Sequence, residues 1–267
     1  MPDISIRNVR QSQRPPEGLL PIFFNFATIP IAWPLTAVLG SMGLGPNAAT
    51  IIRTFLSLFG LILFAFPSQT MHATGLALIM LGVVFDNVDG QLARVLDKAS
   101  YFGKFFDGLI DSFFEVSLPF ALGTYFLLAE GRVDLFAAGA LAAIALALLQ
   151  ITMIRCNIVE LKVAAETSDK PKPHPRLQRF LDQPFVVGFR TLIESNLPLL
   201  LWDFRYAGLI VGFLIGEEGL YLIALCGIQV VHLTFFSALR ATAFYAKFDI
   251  HRRSDSASLT KVMTDEK

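Results

Sequence analysis

The stretch "GLALIMLGVVFDNVDGQLAR", residues 75–94, decides how this chain is read. An apolar run from Gly75 to Phe85 meets Asp86 and Asp89 with no proline to separate them. The mostly apolar segment from Ala73 to Phe85 rises only roughly 20 Å as a helix, against a hydrocarbon core of about 30 Å. A helix that crosses a bilayer here must therefore continue through the aspartates. At about 100° per residue with Asp86 at zero, Asp89 falls near 300°, Gly90 near 40° and Ala93 near 340°. One face then carries two carboxylates and two small residues, with Arg94 on its edge.

The next segment repeats the arrangement. Gly103, Asp107 and Asp111 are spaced four apart and share a stripe that Glu115 extends. A short turn near Asp97 and Lys98 would make the two helices antiparallel neighbours with their acidic stripes facing each other. Four carboxylates facing one another in a low dielectric repel, so they must bind protons or cations. Hard oxygen ligands of this kind suit Mg²⁺ or Mn²⁺, ions that commonly neutralise a diphosphate and support displacement at phosphorus. Gly90, Ala93 and Gly103 would let a bulky ligand approach the backbone, and Arg94 could pair with phosphate oxygens. The plainer readings are solvated interfacial aspartates and, for Gly103, helix packing; four carboxylates in register weigh against the first.

Composition agrees with a membrane location. Hydrophobic residues make up 54% of the chain and charged ones 16%, with a mean hydropathy of +0.58. Soluble domains carry about 25% charged residues. The net charge of zero gives no sign of a nucleic-acid partner. Cys156 and Cys226 lie in or beside apolar stretches and read as buried small hydrophobes, not as a disulfide or metal pair. The polar first 18 residues are not followed by the short apolar core of a secretory signal.

Six stretches approach the length of a span: Ala48–Phe66, Ala73 to the aspartate motif, Ser112–Ala129, Leu135–Ile154, Leu197–Gly216 and Leu220–Leu239. Leu19–Gly45 is apolar but contains Pro21, Pro30 and Pro34, so it is either a span or a broken helix lying along the interface, and the charge pattern favours the second. With six spans, the basic residues fall on one side: Arg7, Arg10 and Arg14, then Lys162 to Arg179, then Lys247, Arg252 and Arg253. The opposite loops hold Glu130, Arg132, Asp134, Glu217 and Glu218, as the positive-inside rule expects. The expected architecture is an all-α integral membrane protein with six transmembrane helices preceded by an interfacial helical segment. Residues 1–46 form the tail and that segment, 47–246 the catalytic domain with a cytosolic linker at about 160–184, and 247–267 a cytosolic tail. No internal repeat is visible. Asp203 and Arg205 read as interfacial, with lining the site as the lesser reading, while Gln229 and His232 read as interhelical hydrogen-bonders rather than ligands. For Glu115, an acceptor pocket and a packing hydrogen bond stand equal.

The pattern Asp86, Asp89, Gly90, Ala93, Arg94, Gly103, Asp107 and Asp111 resembles, at every position and spacing, the CDP-alcohol phosphotransferase signature D-x2-D-G-x2-A-R-x8-G-x3-D-x3-D. The upstream "GPNAATIIR", Gly45 to Arg53, is similar to the family's approach to its first span. The resemblance implies a six-helix membrane enzyme, commonly a homodimer, with its site open to the cytosol; the charge pattern puts both termini on that side too, and the expected location is a bacterial-type inner membrane. It implies that Asp86, Asp89, Asp107 and Asp111 hold one or two divalent metals and that Gly90, Ala93 and Arg94 line the CDP site. Asp111 would be the base that deprotonates the acceptor hydroxyl. The expected reaction passes a substituted phosphate from a CDP-alcohol, CDP-diacylglycerol in the first instance, to a hydroxyl acceptor with release of CMP, in phospholipid synthesis. Transfer from a CDP-linked small alcohol to a lipid or polyol is the alternative. Membrane prenyltransferases usually hold their two acidic motifs far apart, and a cation or proton transporter would carry acids mid-bilayer on several helices.

Overall fold

The structure is a computed structural model that describes residues 5–12, 23–166 and 197–265. The expected "TSDKPKPHPR" linker, residues 167–176, lies outside the described residues. Among these, all regular structure is helical: α1 Ile6–Gln11, α2 Phe23–Ser41, α3 Pro46–Phe64, α4 Gln69–Val95, α5 Tyr101–Glu130, α6 Val133–Glu166, α7 Leu197–Ile215 and α8 Glu218–Asp265.

Five helices are long and apolar enough to cross a membrane: Pro46–Phe64, Gln69–Val95, Tyr101–Glu130, Val133–Lys162 and Glu218–Ala241. The described part of α7, Phe204–Ile215, is apolar but shorter. α4 does run unbroken through Asp86 and Asp89, as the length of its apolar run required. Its 27 residues rise roughly 40 Å, enough to cross and to carry the carboxylates near one end. α6 extends to Glu166, so the first residues assigned to the linker are helical, and α8 continues to Asp265 through the stretch assigned to the tail.

Within the Leu19–Gly45 segment the described helix is not broken by Pro30 or Pro34. α2 passes through Pro30 and Pro34 and packs against α4. Each proline removes one N–H from the helix ladder, a loss that membrane helices tolerate when neighbours re-satisfy the freed carbonyls. Polar contacts fasten the two helices: the Thr36 hydroxyl donates to Gln91 Oε1 at 2.7 Å, and Asn87 Nδ2 donates to Thr28 Oγ1 at 3.3 Å. Ala32, Ala49, Val84, Val88 and Leu92 fill the space between them and α3.

The described chain forms two compact units. One gathers α1–α5, α6 as far as Ala147, α7 from Pro198 and α8 as far as Gln229. Its main core joins Leu61 and Phe64 of α3, Ile79 and Val83 of α4, Phe114 and Leu122 of α5, Leu209 of α7 and Leu222 of α8. The other unit holds α6 from Leu148 and α8 from Val230, tied by an ion pair between Arg240 and Glu160 at 3.3 Å. Every residue of the acidic motif lies in the first unit.

Candidate functional site

The turn between α4 and α5 is built to reverse the chain in a few residues. After Val95, Lys98 N donates to Ala93 O at 2.9 Å and Asp97 N to Arg94 O at 3.3 Å, closing the helix end. Asp97 adopts the left-handed conformation, φ +50°, that this cap demands. Ser100 then opens α5, its Oγ accepting from Gly103 N at 3.0 Å. A side chain at Gly103 would crowd Ser100 Oγ at 3.1 Å and approach Asn47 of α3 at 3.6 Å, so glycine here brings α5 close to both. The reversal lays Asp107 against Asp86 and Asp89. Each of these three offers a carboxylate oxygen, and the oxygens lie within 4.8 Å of one another.

α3 completes the cluster with residues that the acidic pattern did not reveal. The Thr50 hydroxyl donates to Asp89 Oδ2 at 2.8 Å. Arg53 Nη1 stands 2.6 Å from both Asp86 Oδ1 and Asp107 Oδ1, and Nη2 pairs with Asp111. Asp111 is thus bound to the acidic group through the guanidinium. Arg53 is only 7% exposed whereas Asp111 is 44% exposed, so a buried cation is overlaid by more accessible acids. Thr50, Arg53 and Ser57 recur at helical spacing on one buried face of α3. A lone arginine on that face of an apolar helix was the available signal; what it meets could not be read without its partners.

Two cavities border the cluster. One is lined by Asn47, Thr50, Asp89, Gly90, Ala93 and Lys104, with the first residues of α3 and α5 at its rim. The other lies deeper between the helices and is lined by Ser57, Gly82, Val83, Phe114 and Tyr206, with Arg53, Asp86 and Asp111 at its boundary. The four aspartates therefore divide by cavity, Asp89 and Asp107 on the first and Asp86 and Asp111 on the second.

Of the residues expected to contact a substrate, Gly90 and Ala93 line the first cavity. Arg94 is exposed, its Nη1 3.4 Å from where a Cβ on Gly90 would stand. Arg205 points into the protein. It is buried, and its Nη1 lies 2.5 Å from Glu115 Oε1. Glu115 is thus a partner of an arginine from α7, and a buried guanidinium requires such an anion. The Asp203 side chain lies outside the described residues. Gln229 is buried, yet neither its Nε2 nor its Oε1 meets a hydrogen-bond partner among the described residues, and the same holds for His232 Nδ1. The interhelical hydrogen bonds expected of Gln229 are thus absent among the described residues. Cys156 and Cys226 are both free and buried.

Comparison with known proteins bears on this arrangement. Residues 44–181, just over half of the chain, match the model of the CDP-alcohol phosphatidyltransferase family. The matched stretch holds the whole acidic cluster together with Thr50 and Arg53. An uncharacterized protein of Aquifex aeolicus is 36% identical over 98 residues, 35% of this chain and 46% of the relative. An archaetidylinositol phosphate synthase of Pyrococcus horikoshii is 36% identical over 84 residues, 32% of this chain and 43% of the relative. The aligned region thus spans less than half the length of each relative. On the strength of the family match, which covers the aspartates, the glycines between them and the α3 face that meets them, the chain belongs to the CDP-alcohol phosphatidyltransferase family.

Proposed function

We propose that the chain transfers a substituted phosphate from a CDP-alcohol to a hydroxyl acceptor with release of CMP, CDP-diacylglycerol being the donor. The observation that carries this reading is the convergence of Asp86, Asp89 and Asp107 within 4.8 Å, with Asp111 tied in through Arg53. The donor set is all hard carboxylate oxygen, which fits Mg²⁺ or Mn²⁺ and suits no soft metal. Asp86, Asp89, Asp107 and Asp111 would hold one or two such ions. When bound, these would offset charge on the diphosphate and on the departing CMP.

The chain's own residues account for the rest. The cavity bordered by Asp89 also has the amino-terminal residues of α3 and α5, Lys98 and Lys104 around it, a setting that favours an anionic diphosphate. Gly90 and Ala93 leave room there for the nucleotide, and Arg94 supplies a cation at the edge. Asp111 borders the deeper cavity. Its carboxylate would take the proton of the acceptor hydroxyl as that oxygen bonds to the phosphorus nearer the alcohol group. The bond from this phosphorus to the bridging oxygen breaks, and CMP departs with that oxygen. The name of the Pyrococcus relative, a synthase of archaetidylinositol phosphate, supports a phospholipid product. Six spans with α2 at the interface, a cytosolic site and a homodimer complete the proposal; the one-sided distribution of basic residues supports the orientation.

The test is CMP release by purified protein with Mg²⁺ and a panel of CDP-alcohols and acceptors. Metal-dependent CMP formation is expected, and Asp111→Asn should lower turnover by at least about 10²-fold, the lower range for a general base. Unchanged turnover in that variant would remove the base assignment. No CMP from any donor would return the transporter reading to the front.

A further inference from the structure

We infer that Arg53 is the resident counter-cation of the acidic cluster, displaced from Asp86 and Asp107 when a divalent ion enters and thereafter a cationic contact for the diphosphate. The inference rests on the metal site proposed above and adds a role for a residue outside the aspartate motif.

Three observations lead to it. Arg53 Nη1 sits 2.6 Å from Asp86 Oδ1 and 2.6 Å from Asp107 Oδ1, so it engages two of the three residues whose oxygens converge. A divalent ion bound at about 2.0–2.6 Å from these carboxylate oxygens would face a guanidinium nitrogen in contact with the same oxygens, and the two cations repel strongly in a low dielectric. Arg53 also cannot lose its charge to make way, since guanidinium stays protonated in proteins. Ion and guanidinium must therefore compete for Asp86 and Asp107.

The charge balance gives the exchange its second half. In the metal-free cluster a single guanidinium serves three carboxylates, those of Asp86, Asp107 and Asp111. Two divalent ions would offset the four carboxylates, leaving the guanidinium charge uncompensated. That charge is buried on the inner face of α3, so it cannot be given to water. It borders the deeper cavity and touches Asp107, which borders the other, so an anion lying between the cavities is within its reach. A diphosphate meets that requirement.

The experiment measures Mn²⁺ binding by the loss of the free-ion EPR signal, on full-length protein in detergent without nucleotide. Arg53→Gln should bind Mn²⁺ at least tenfold more tightly than the unchanged protein, and Asp107→Asn at least tenfold more weakly. Without metal, Arg53→Gln should melt at a lower temperature and recover on adding Mn²⁺. At saturating Mn²⁺, calorimetric titration with CDP should show at least tenfold weaker binding to Arg53→Gln. Should that variant fail to fold, Arg53→Lys replaces a fork by a single ammonium and should still bind Mn²⁺ severalfold more tightly. Equal or weaker Mn²⁺ binding by the arginine variants would overturn the exchange while leaving the metal site standing. Undiminished CDP binding would overturn the diphosphate contact. Absence of Mn²⁺ binding in the unchanged protein and both variants would instead remove the metal reading itself.

Discussion

At the scale of single residues, the glycines of α4 separate those held by packing from one with room for a side chain. A Cβ on Gly75 would stand 2.3 Å from Phe64 N and 2.6 Å from Gly60 O, both backbone atoms that cannot turn aside. Gly82 would place its Cβ 2.1 Å from Ser57 Oγ, a side chain on the same face of α3 as Arg53. Gly90 differs, since its nearest neighbour is the mobile end of Arg94 at 3.4 Å. Gly75→Ala should therefore force α3 and α4 apart and lower stability by about 1–3 kcal/mol, the usual range for overpacking. Gly227→Ala on α8 provides the control, because among the described residues nothing lies within 4 Å of its added carbon. Thermal unfolding in detergent should show a clear fall for the first variant and none for the second; equal behaviour would mean that the α3–α4 contact is softer than described.

At the scale of elements, the α4–α5 hairpin was legible because its signals are local. Apolar length forced α4 through the aspartates, and spacing alone aligned Asp107 with Asp111. The position of the turn followed from Asp97 and Lys98 lying between two periodic stretches. What the pattern could not show depends on a third helix. Arg53 is one basic residue in an apolar run until α3 is laid against both acidic stripes, and the partner of Arg205 is hidden until α7 meets Glu115. α2 misled for the opposite reason, since Pro30 and Pro34 argue locally for a break that packing on α4 overrides. The turn itself carries a measurable strain. Asp97 holds φ +50° without the freedom of glycine, at a cost near 1 kcal/mol for a residue with a Cβ. Asp97→Gly should thus raise stability by about 0.5–1 kcal/mol without moving Asp107, and Asp97→Val should lower it. A stability loss in the glycine variant would show that the Asp97 side chain makes a compensating contact.

At the scale of the whole molecule, the first unit also joins its helices at the end away from the carboxylates. His72 does this. It is 1% exposed on α4, stacked at 4.1 Å on Phe64 of α3 and at 3.8 Å on Tyr125 of α5, with Phe213 of α7 at 6.0 Å. Its Nδ1 lies 2.5 Å from the carbonyl oxygen of Phe64, which can only accept, so Nδ1 carries a hydrogen. Its Nε2 faces Glu218 Oε1 of α8 at 3.0 Å, a contact that needs one proton between the two atoms. Five helices thus meet at one imidazole. His72→Ala removes the stacked ring and leaves Glu218 facing a void, so it should cost about 2–4 kcal/mol. Glu218→Gln should cost far less, because the amide can still donate to or accept from Nε2. The chemistry proposed at the other end of these helices involves neither side chain. Below its lowered melting temperature, His72→Ala should therefore release CMP within a few-fold of the unchanged rate, with metal dependence intact. A turnover loss as deep as that of Asp111→Asn at such a temperature would mean that this junction sets the geometry of the carboxylates and does not merely hold the bundle together.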